Sequence, residues 1–386
     1  MNQLSATAFA DTKPHYHLLD GMRGVAALLV VVFHIFEGFA STVTVSATGQ
    51  ERADYILGHG YLAVDFFFIL SGFVIGYAYD DRLKGSMKVS EFFKRRIIRL
   101  QPMVIMGTLI GAVCFYFGSC DDLPMIAATP VWKLALLTLL GCFMLPALAA
   151  WDIRGYSEMY PLDGPAWSLF LEYIAYILYA LFIRRLGKKA LTLWTTIMGI
   201  GLCIFSVHYG DVCYGFSFTN VNFPFGMLKV MFSFSLGLLL SRNIHQVRIK
   251  GAFWICAAIV TAILVMPRIG GGEHAWMNGL YDFLAIAIVF PIVVWLAASG
   301  TTTDKTSTRI CTFCGDISYP IYMVHYPFIY LYIAYFLSGG LTFMQTLPVA
   351  IGLLIGCILL AYGCLKFYDT PVRQYLSRRW LHKQKG

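Results

Sequence analysis

Charge is what this 386-residue sequence has least of. Only 13% of its residues are Asp, Glu, Lys or Arg, while 58% are hydrophobic and 16% aromatic. Soluble domains carry about 25% charged residues, so a water-soluble globular chain is excluded and a polytopic membrane protein is expected. No Asn-x-Ser/Thr sequon occurs, which suits a bacterial origin. Residues 1–17 lack the basic start, short apolar run and small-residue cleavage site of a signal peptide, so the first apolar helix is expected to remain as an anchor. No internal repeat, low-complexity tract or appended soluble domain stands out. The chemistry therefore has to lie in the helices and their loops, with the lipid bilayer as partner and nucleic acid excluded.

The 10 cysteines offer little more. Cys114, Cys142, Cys203, Cys256, Cys357 and Cys364 sit inside apolar runs, where a free thiol behaves as a small hydrophobe. Cys120 and Cys213 could face an oxidising side. Cys311-x-x-Cys314 has no second pair near it, so the zinc spacing is incomplete and no metal site is expected.

A membrane-spanning helix needs about 20 mainly apolar residues. Such helices are expected near 18–38, 61–79, 102–118, 165–183, 190–208, 224–241, 251–267, 280–298, 316–337 and 344–366. The eleventh apolar run, 131–150, is decided by charge, because cytoplasmic loops collect Lys and Arg. If it dips in and returns, the basic loops 80–101, 184–189 and 242–250 and the tail after 366 share one side. Only Arg52, Lys133, Arg154, Lys229 and Arg268 of the 29 basic residues then fall elsewhere. If it spans, Arg184, Arg185, Lys188, Lys189, Arg242, Arg248 and Lys250 land outside. Gly141 and Pro146 also suit a broken segment shielded by protein. The expectation is an all-α fold of about ten transmembrane helices plus a re-entrant 131–150, both termini cytoplasmic. Residues 1–17 form a cytoplasmic segment, 18–373 the membrane domain and 374–386 a basic tail.

Within this apolar background, Asp20, Arg23 and His34 share the first helix, and ionisable groups at membrane depth are functional candidates by default. Positions 20, 23, 27, 31 and 34 fall on one helical stripe. Arg23 and His34 are eleven residues apart, about 16 Å at 1.5 Å per residue. His34, with an ordinary pKa near 6.5, is the natural proton acceptor at neutral pH; a hydrogen bond between helices is the alternative. Asp65, one turn into the second span, either orients His34, binds a hydroxylated substrate or caps its helix. Ser71-Gly72 reads as close helix packing rather than a nucleophile.

Further along, Arg95, Arg96 and Arg99 precede the third span. They act either as a positive-inside anchor or as bidentate phosphate ligands for a phosphorylated donor. Residues 151–164 form an acidic, aromatic outer loop that suits a sugar or a membrane interface. Glu172, two turns into the next span, needs a partner, either His34 or an arginine. Tyr319, Tyr322 and His325 follow at one-turn steps, lining a donor channel or bonding neighbouring helices.

Five stretches together resemble the acyltransferase 3 family of integral membrane O-acyltransferases. They are Leu19-Asp20-Gly21-Met22-Arg23-Gly24 with His34, Val64-Asp65 through Gly72-Phe73, Arg95-Arg96-x-x-Arg99-x-x-Pro102, Trp167-Ser168-Leu169-x-x-x-Glu172, and Ser318-Tyr319-x-x-Tyr322-x-x-His325. They stand in the family's order and cover about 18–373. Asp369-Thr370-Pro371 replaces the Glu-x-Pro common in members, and the extracytoplasmic esterase-like domain fused to some members is absent. Either the membrane domain completes transfer, or separate extracytoplasmic or glycan-building enzymes take part.

The resemblance implies transfer of an acyl group, often acetyl and sometimes succinyl, from a CoA thioester to a carbohydrate hydroxyl. It marks Arg23 and His34 as the essential pair and Arg95 to Arg99 as lying near a cytoplasmic donor. On that basis acyl-CoA docks on Arg95, Arg96 and Arg99, its arm passes Arg23, and His34 takes the acceptor proton while Asp65 or Glu172 orients the imidazole. No Gly-x-Ser-x-Gly elbow is present, which favours direct transfer over an acyl-enzyme. A glycan or glycolipid transporter or flippase is the competing class, since intramembrane charge suits it too. It is weakened by the lack of an inverted repeat. A catalytically silent sensor is disfavoured by the Arg23–His34 pair.

Overall fold

The computed structural model describes residues 16–47, 57–119, 121, 123–244, 247 and 249–381, the side chains of 38–47 excepted. Arg52, Cys120 and Arg248, the segment 1–15 and the last five residues lie outside the described residues. The chain forms helices α1 His17–Ala47, α2 Ala63–Lys84, α3 Val89–Phe117, α4 Pro124–Ala127, α5 Val131–Cys142, α6 Ala166–Leu181, α7 Lys188–Tyr209 and α8 Asn222–Asn243. They continue as α9 Ala252–Val265, α10 Trp276–Leu284, α11 Phe290–Ser299, α12 Lys305–Val324, α13 Tyr326–Gly339, α14 Phe343–Cys364 and α15 Thr370–Leu381. Five-residue π-turns join α10 to α11 and α14 to α15. A two-residue parallel pair, Ile249–Lys250 with Gly300–Thr301, is the one sheet among the described residues.

Every expected span falls on a helix, yet the helices differ in reach. Among the described residues seven are long and apolar enough to cross a membrane, α10–α11 and α14–α15 each taken through its π-turn, and the bent pair α12–α13 raises the number to eight. α6 and α9, with 16 and 14 residues, are shorter than a perpendicular span requires. The run 131–150 is not one helix. α5 stops after 12 residues at Cys142, and Met144 follows with φ 55°. Gln101 Nε2 donates to the Cys142 carbonyl at 2.6 Å, which ties the end of α5 to α3.

Two helix pairs organise the core, α1 against α12 and α2 against α8. Small residues permit both. A Cβ on Gly24 would sit 2.0 Å from the Cys314 carbonyl oxygen, and one on Gly72 2.0 Å from that of Phe234. Backbone contact of this kind is how membrane helices gain packing without a hydrophobic driving force. It also accounts for Cys311 and Cys314, buried where α12 meets Gly21 and Gly24. Ser71-Gly72 packs as expected, Ser71 Oγ lying 3.0 Å from the Tyr176 hydroxyl.

Proline sets two breaks that matter for the site. Pro327 has no N–H for the carbonyl four residues back. α12 accordingly ends at Val324, and α13 leaves at 54° with His325 in the bend. Pro371 likewise leaves the Phe367 carbonyl without its helical donor, and the chain widens to a π-turn over Leu365–Asp369.

Candidate active site

The stripe on α1 faces the bundle: Ala27 and Val31 are fully buried, while Arg23 and His34, at its two ends, are half-buried. Arg23 Nη1 donates to Asp20 Oδ1 at 2.6 Å. His34 Nδ1 lies 2.9 Å from Glu37 Oε2, one turn further along the same helix. The imidazole also stacks on His325, with centroids 5.5 Å apart at 25°, and meets the Tyr326 ring edge-on at 4.7 Å.

His325 is held in one tautomer. Its Nδ1 lies 2.9 Å from the Ile321 carbonyl oxygen, which can only accept, so Nδ1 carries the proton. Nε2 is then a buried lone pair without a partner. One turn back, the Tyr322 hydroxyl is 2.6 Å from Ser168 Oγ and donates to the Pro165 carbonyl at 3.3 Å. Tyr319 donates to the Leu100 carbonyl at 2.5 Å. The bend of α12–α13 thus gathers His34, Tyr322, His325 and the start of α6 at one place.

Asp65 and Glu172 are elsewhere. Asp65 is fully buried 3.2 Å from Lys229 Nζ, whose ammonium also donates to the Val212 carbonyl at 2.6 Å and sits 5.6 Å from the Trp167 ring. It neither caps α2 nor meets His34. Glu172 accepts from the Tyr176 hydroxyl, beside which Arg96 packs. The carboxylate on His34 is Glu37. Glu37 stands at i+3 from His34, one turn beyond the end of the stripe, and that spacing is the signal in the sequence that points to it.

At the Arg23 end the three arginines divide. Arg95 is tied to Glu91 at 2.7 Å. Arg96 donates to the Tyr79 hydroxyl at 2.9 Å and lies between the Tyr79 and Tyr176 rings. Arg99 forms no ion pair among the described residues and feels Arg373, Asp369, Arg23 and Asp20 at longer range.

The loop 151–164 is built into the protein rather than spread on its surface. Arg154 is buried with its guanidinium 3.4 Å from the Tyr330 ring centre and donates to the Pro161 carbonyl. Glu158 accepts from Tyr330 at 2.5 Å. Burial raises Glu158 from 4.5 to about 7, against the pull of Tyr330 and Arg154. Asp163, buried with neither oxygen partnered, is pushed well above the usual carboxylate range by burial and then by Glu158. Among the described residues no group of three metal-ligating side chains occurs.

The family model for the acyltransferase 3 domain matches residues 16–365. The chain belongs to the acyltransferase 3 family. It is 32% identical over 200 residues to Protein 2 in picA locus of Rhizobium radiobacter, covering 50% of this chain and 95% of that protein. It is 23% identical over 395 residues to O-acetyltransferase OatA of Staphylococcus aureus, covering 95% of this chain and 59% of the relative. The chain thus spans about three-fifths of the length of OatA. No solved structure matches it.

As an acyltransferase 3 protein the chain is a multi-pass membrane acyltransferase, and its shared motifs sort into two places. Tyr322 and His325, Ser168 and His34 converge at the bend. Tyr319, on the Leu100 carbonyl, lies with Arg96, Arg99, Glu172 and Arg23 towards the other end. Outside those motifs, Glu37 and the Glu158–Tyr330–Arg154 cluster are additional polar groups beside the bend.

Proposed function

We propose that this protein is an O-acyltransferase of the bacterial inner membrane that carries an acyl group, acetyl first and succinyl second, from cytoplasmic acyl-CoA to a hydroxyl of a cell-surface or lipid-linked carbohydrate. The observation that carries this reading is the α1 stripe, with Arg23 at one end and His34 at the other. A charged donor and a neutral acceptor can approach from opposite sides and meet within the bundle. Ten spans with both termini cytoplasmic, α6 and α9 being short ones and α5 a re-entrant helix, put Arg96 and Arg99 inside and His34 towards the outside.

In the reaction, the acceptor hydroxyl docks against His34 Nε2, the nitrogen left free by the Nδ1 contact to Glu37. His34 takes the proton as the hydroxyl oxygen attacks the thioester carbonyl. The C–S bond then breaks, and the CoA thiolate takes the proton back, leaving a carbohydrate ester and free CoA. A general base of this kind contributes roughly 10²–10⁴-fold. Glu37 orients the ring and stabilises the imidazolium. The unpartnered His325 Nε2, 5.5 Å away ring to ring, is an acceptor for a donor group of either substrate. Arg95 and Arg96 guide the nucleotide end, and Tyr319 and Tyr322 line the path of the pantetheine arm.

The test is reconstitution in lipid vesicles with acetyl-CoA on one side and a mixed bacterial glycan on the other. Thiol release and glycan acetylation in the wild type, both absent in His34→Ala, support the reading. Glycan movement with no turnover of acetyl-CoA or succinyl-CoA overturns it in favour of a transporter.

A further inference from the structure

Around the Arg23 end, the charged groups do not balance. Arg23 is paired with Asp20 at 2.6 Å, and Arg373 with Asp369 at 2.8 Å. Asp316 on α12 interacts at longer range with Lys366 on the π-turn, and less with Arg99 and Arg373. Arg99 is the cation left over, held where α3 packs on α15, with Arg373 as a like-charged neighbour. The Asp369 carboxylate is the anion nearest both guanidinium groups, and one carboxylate does not neutralise two cations, which otherwise repel.

The Arg373–Asp369 pair is itself unfinished. Asp369 is 1% exposed and uses one oxygen, while its other oxygen and Arg373 Nε have no partner. A closed fork would engage Nε together with a terminal nitrogen. The π-turn explains how Asp369 comes to be buried: the extra residue in that turn shifts its direction, and Pro371 holds the turn open. These residues lie beyond the stretch matched by the family model, which ends at 365.

We propose that Arg373, positioned by Asp369, joins Arg99 in binding a phosphate of the nucleotide end of the acyl donor. The proposal rests on the reading of the donor as an acyl-CoA. It makes α15 part of the donor site rather than a mere tail. The anion could be the 3′-phosphate or the diphosphate, and the two are separable by ligand.

The experiment measures binding of CoA and of 3′-dephospho-CoA to the full-length protein in lipid nanodiscs. Wild type is expected to bind CoA, and Arg373→Gln to weaken it roughly tenfold or more, the scale of one charge-assisted hydrogen bond. Arg373→Lys, which keeps charge but loses the fork, falls between. If the 3′-phosphate is the ligand, wild type prefers CoA to dephospho-CoA and Arg373→Gln loses that preference. If it is the diphosphate, the variant weakens both ligands alike. The double variant Arg373→Gln/Asp369→Asn leaves no unpaired charge and controls for folding; it too should bind CoA weakly. CoA binding by wild type and both variants with equal affinity overturns the proposal and leaves the proposed function standing. Failure of wild type to bind CoA, or to turn over acyl-CoA, overturns both.

Discussion

His325 lies against His34 with ring centroids 5.5 Å apart and planes at 25°, and only one of the two imidazoles has a carboxylate partner. His34 has Glu37, which equips it to carry a proton. His325 has the Ile321 carbonyl on one nitrogen and nothing on the other, which equips it to accept a hydrogen bond without becoming charged. The asymmetry fits the proposed division of roles, proton transfer at His34 and substrate positioning at His325.

That division predicts different kinetics for the two. His34→Ala should lower kcat/KM by about 10²–10⁴-fold. His325→Leu, an apolar replacement in a buried site, should act chiefly through KM for whichever substrate donates to Nε2. Steady-state kinetics with each substrate varied in turn separates the cases. A His325→Leu enzyme with unchanged KM for both would remove its positioning role.

Glu37 is expected to act through His34. Glu37→Gln keeps the shape and a hydrogen bond but not the charge, so kcat should fall about 10–100-fold, the loss of one interaction of roughly 1.4–2.7 kcal/mol in the transition state. KM for acyl-CoA should stay as in wild type. A rise in that KM with kcat intact would place Glu37 in donor binding instead.

The Asp65–Lys229 pair should be structural. Removing one member of a buried pair leaves a bare charge and costs about 3–5 kcal/mol, while replacing both is close to neutral. Lys229→Met should therefore unfold at much lower temperature, and Asp65→Asn/Lys229→Met should recover most of the difference and most of the activity. A double variant that is stable but inactive would return Asp65 to the chemistry.

How much of this was legible in the sequence follows from the kind of interaction. The helices, the α1 stripe and the break in the 131–150 run were, because each is written in local periodicity or a Gly and Pro signal. Partner choice was not. Asp65 and Lys229 meet through the α2–α8 contact, which Gly72 and Gly237 allow but which no spacing in the chain announces. Glu172 takes Tyr176, one turn along its own helix, and only the further contact of that hydroxyl with Ser71 of α2 is unannounced by spacing. Glu37 was within reach of an i, i+3 rule and was missed. Pro327 could have flagged the bend that holds His325, since proline breaks a helix wherever its N–H is needed.

The loop 151–164 supplies a pH prediction with a definite sign. Burial raises the Glu158 carboxyl to about 7, with Tyr330 and Arg154 opposing, whereas in the unfolded chain it titrates near 4.5. The folded state therefore holds the proton over a range where the unfolded state has lost it. The stabilisation is fully present below about 4.5 and is lost as pH rises through about 7. One pKa unit is worth about 1.4 kcal/mol, and partial solvation of the half-buried side chain keeps the whole effect to the order of 1–3 kcal/mol. Thermal unfolding in detergent between pH 5 and 8 should show wild type losing stability relative to Glu158→Gln, which keeps a neutral acceptor for Tyr330 at every pH. Parallel curves for the two proteins would mean that Glu158 is ionised throughout and that Arg154, 3.4 Å from the Tyr330 ring centre, compensates it as a cation.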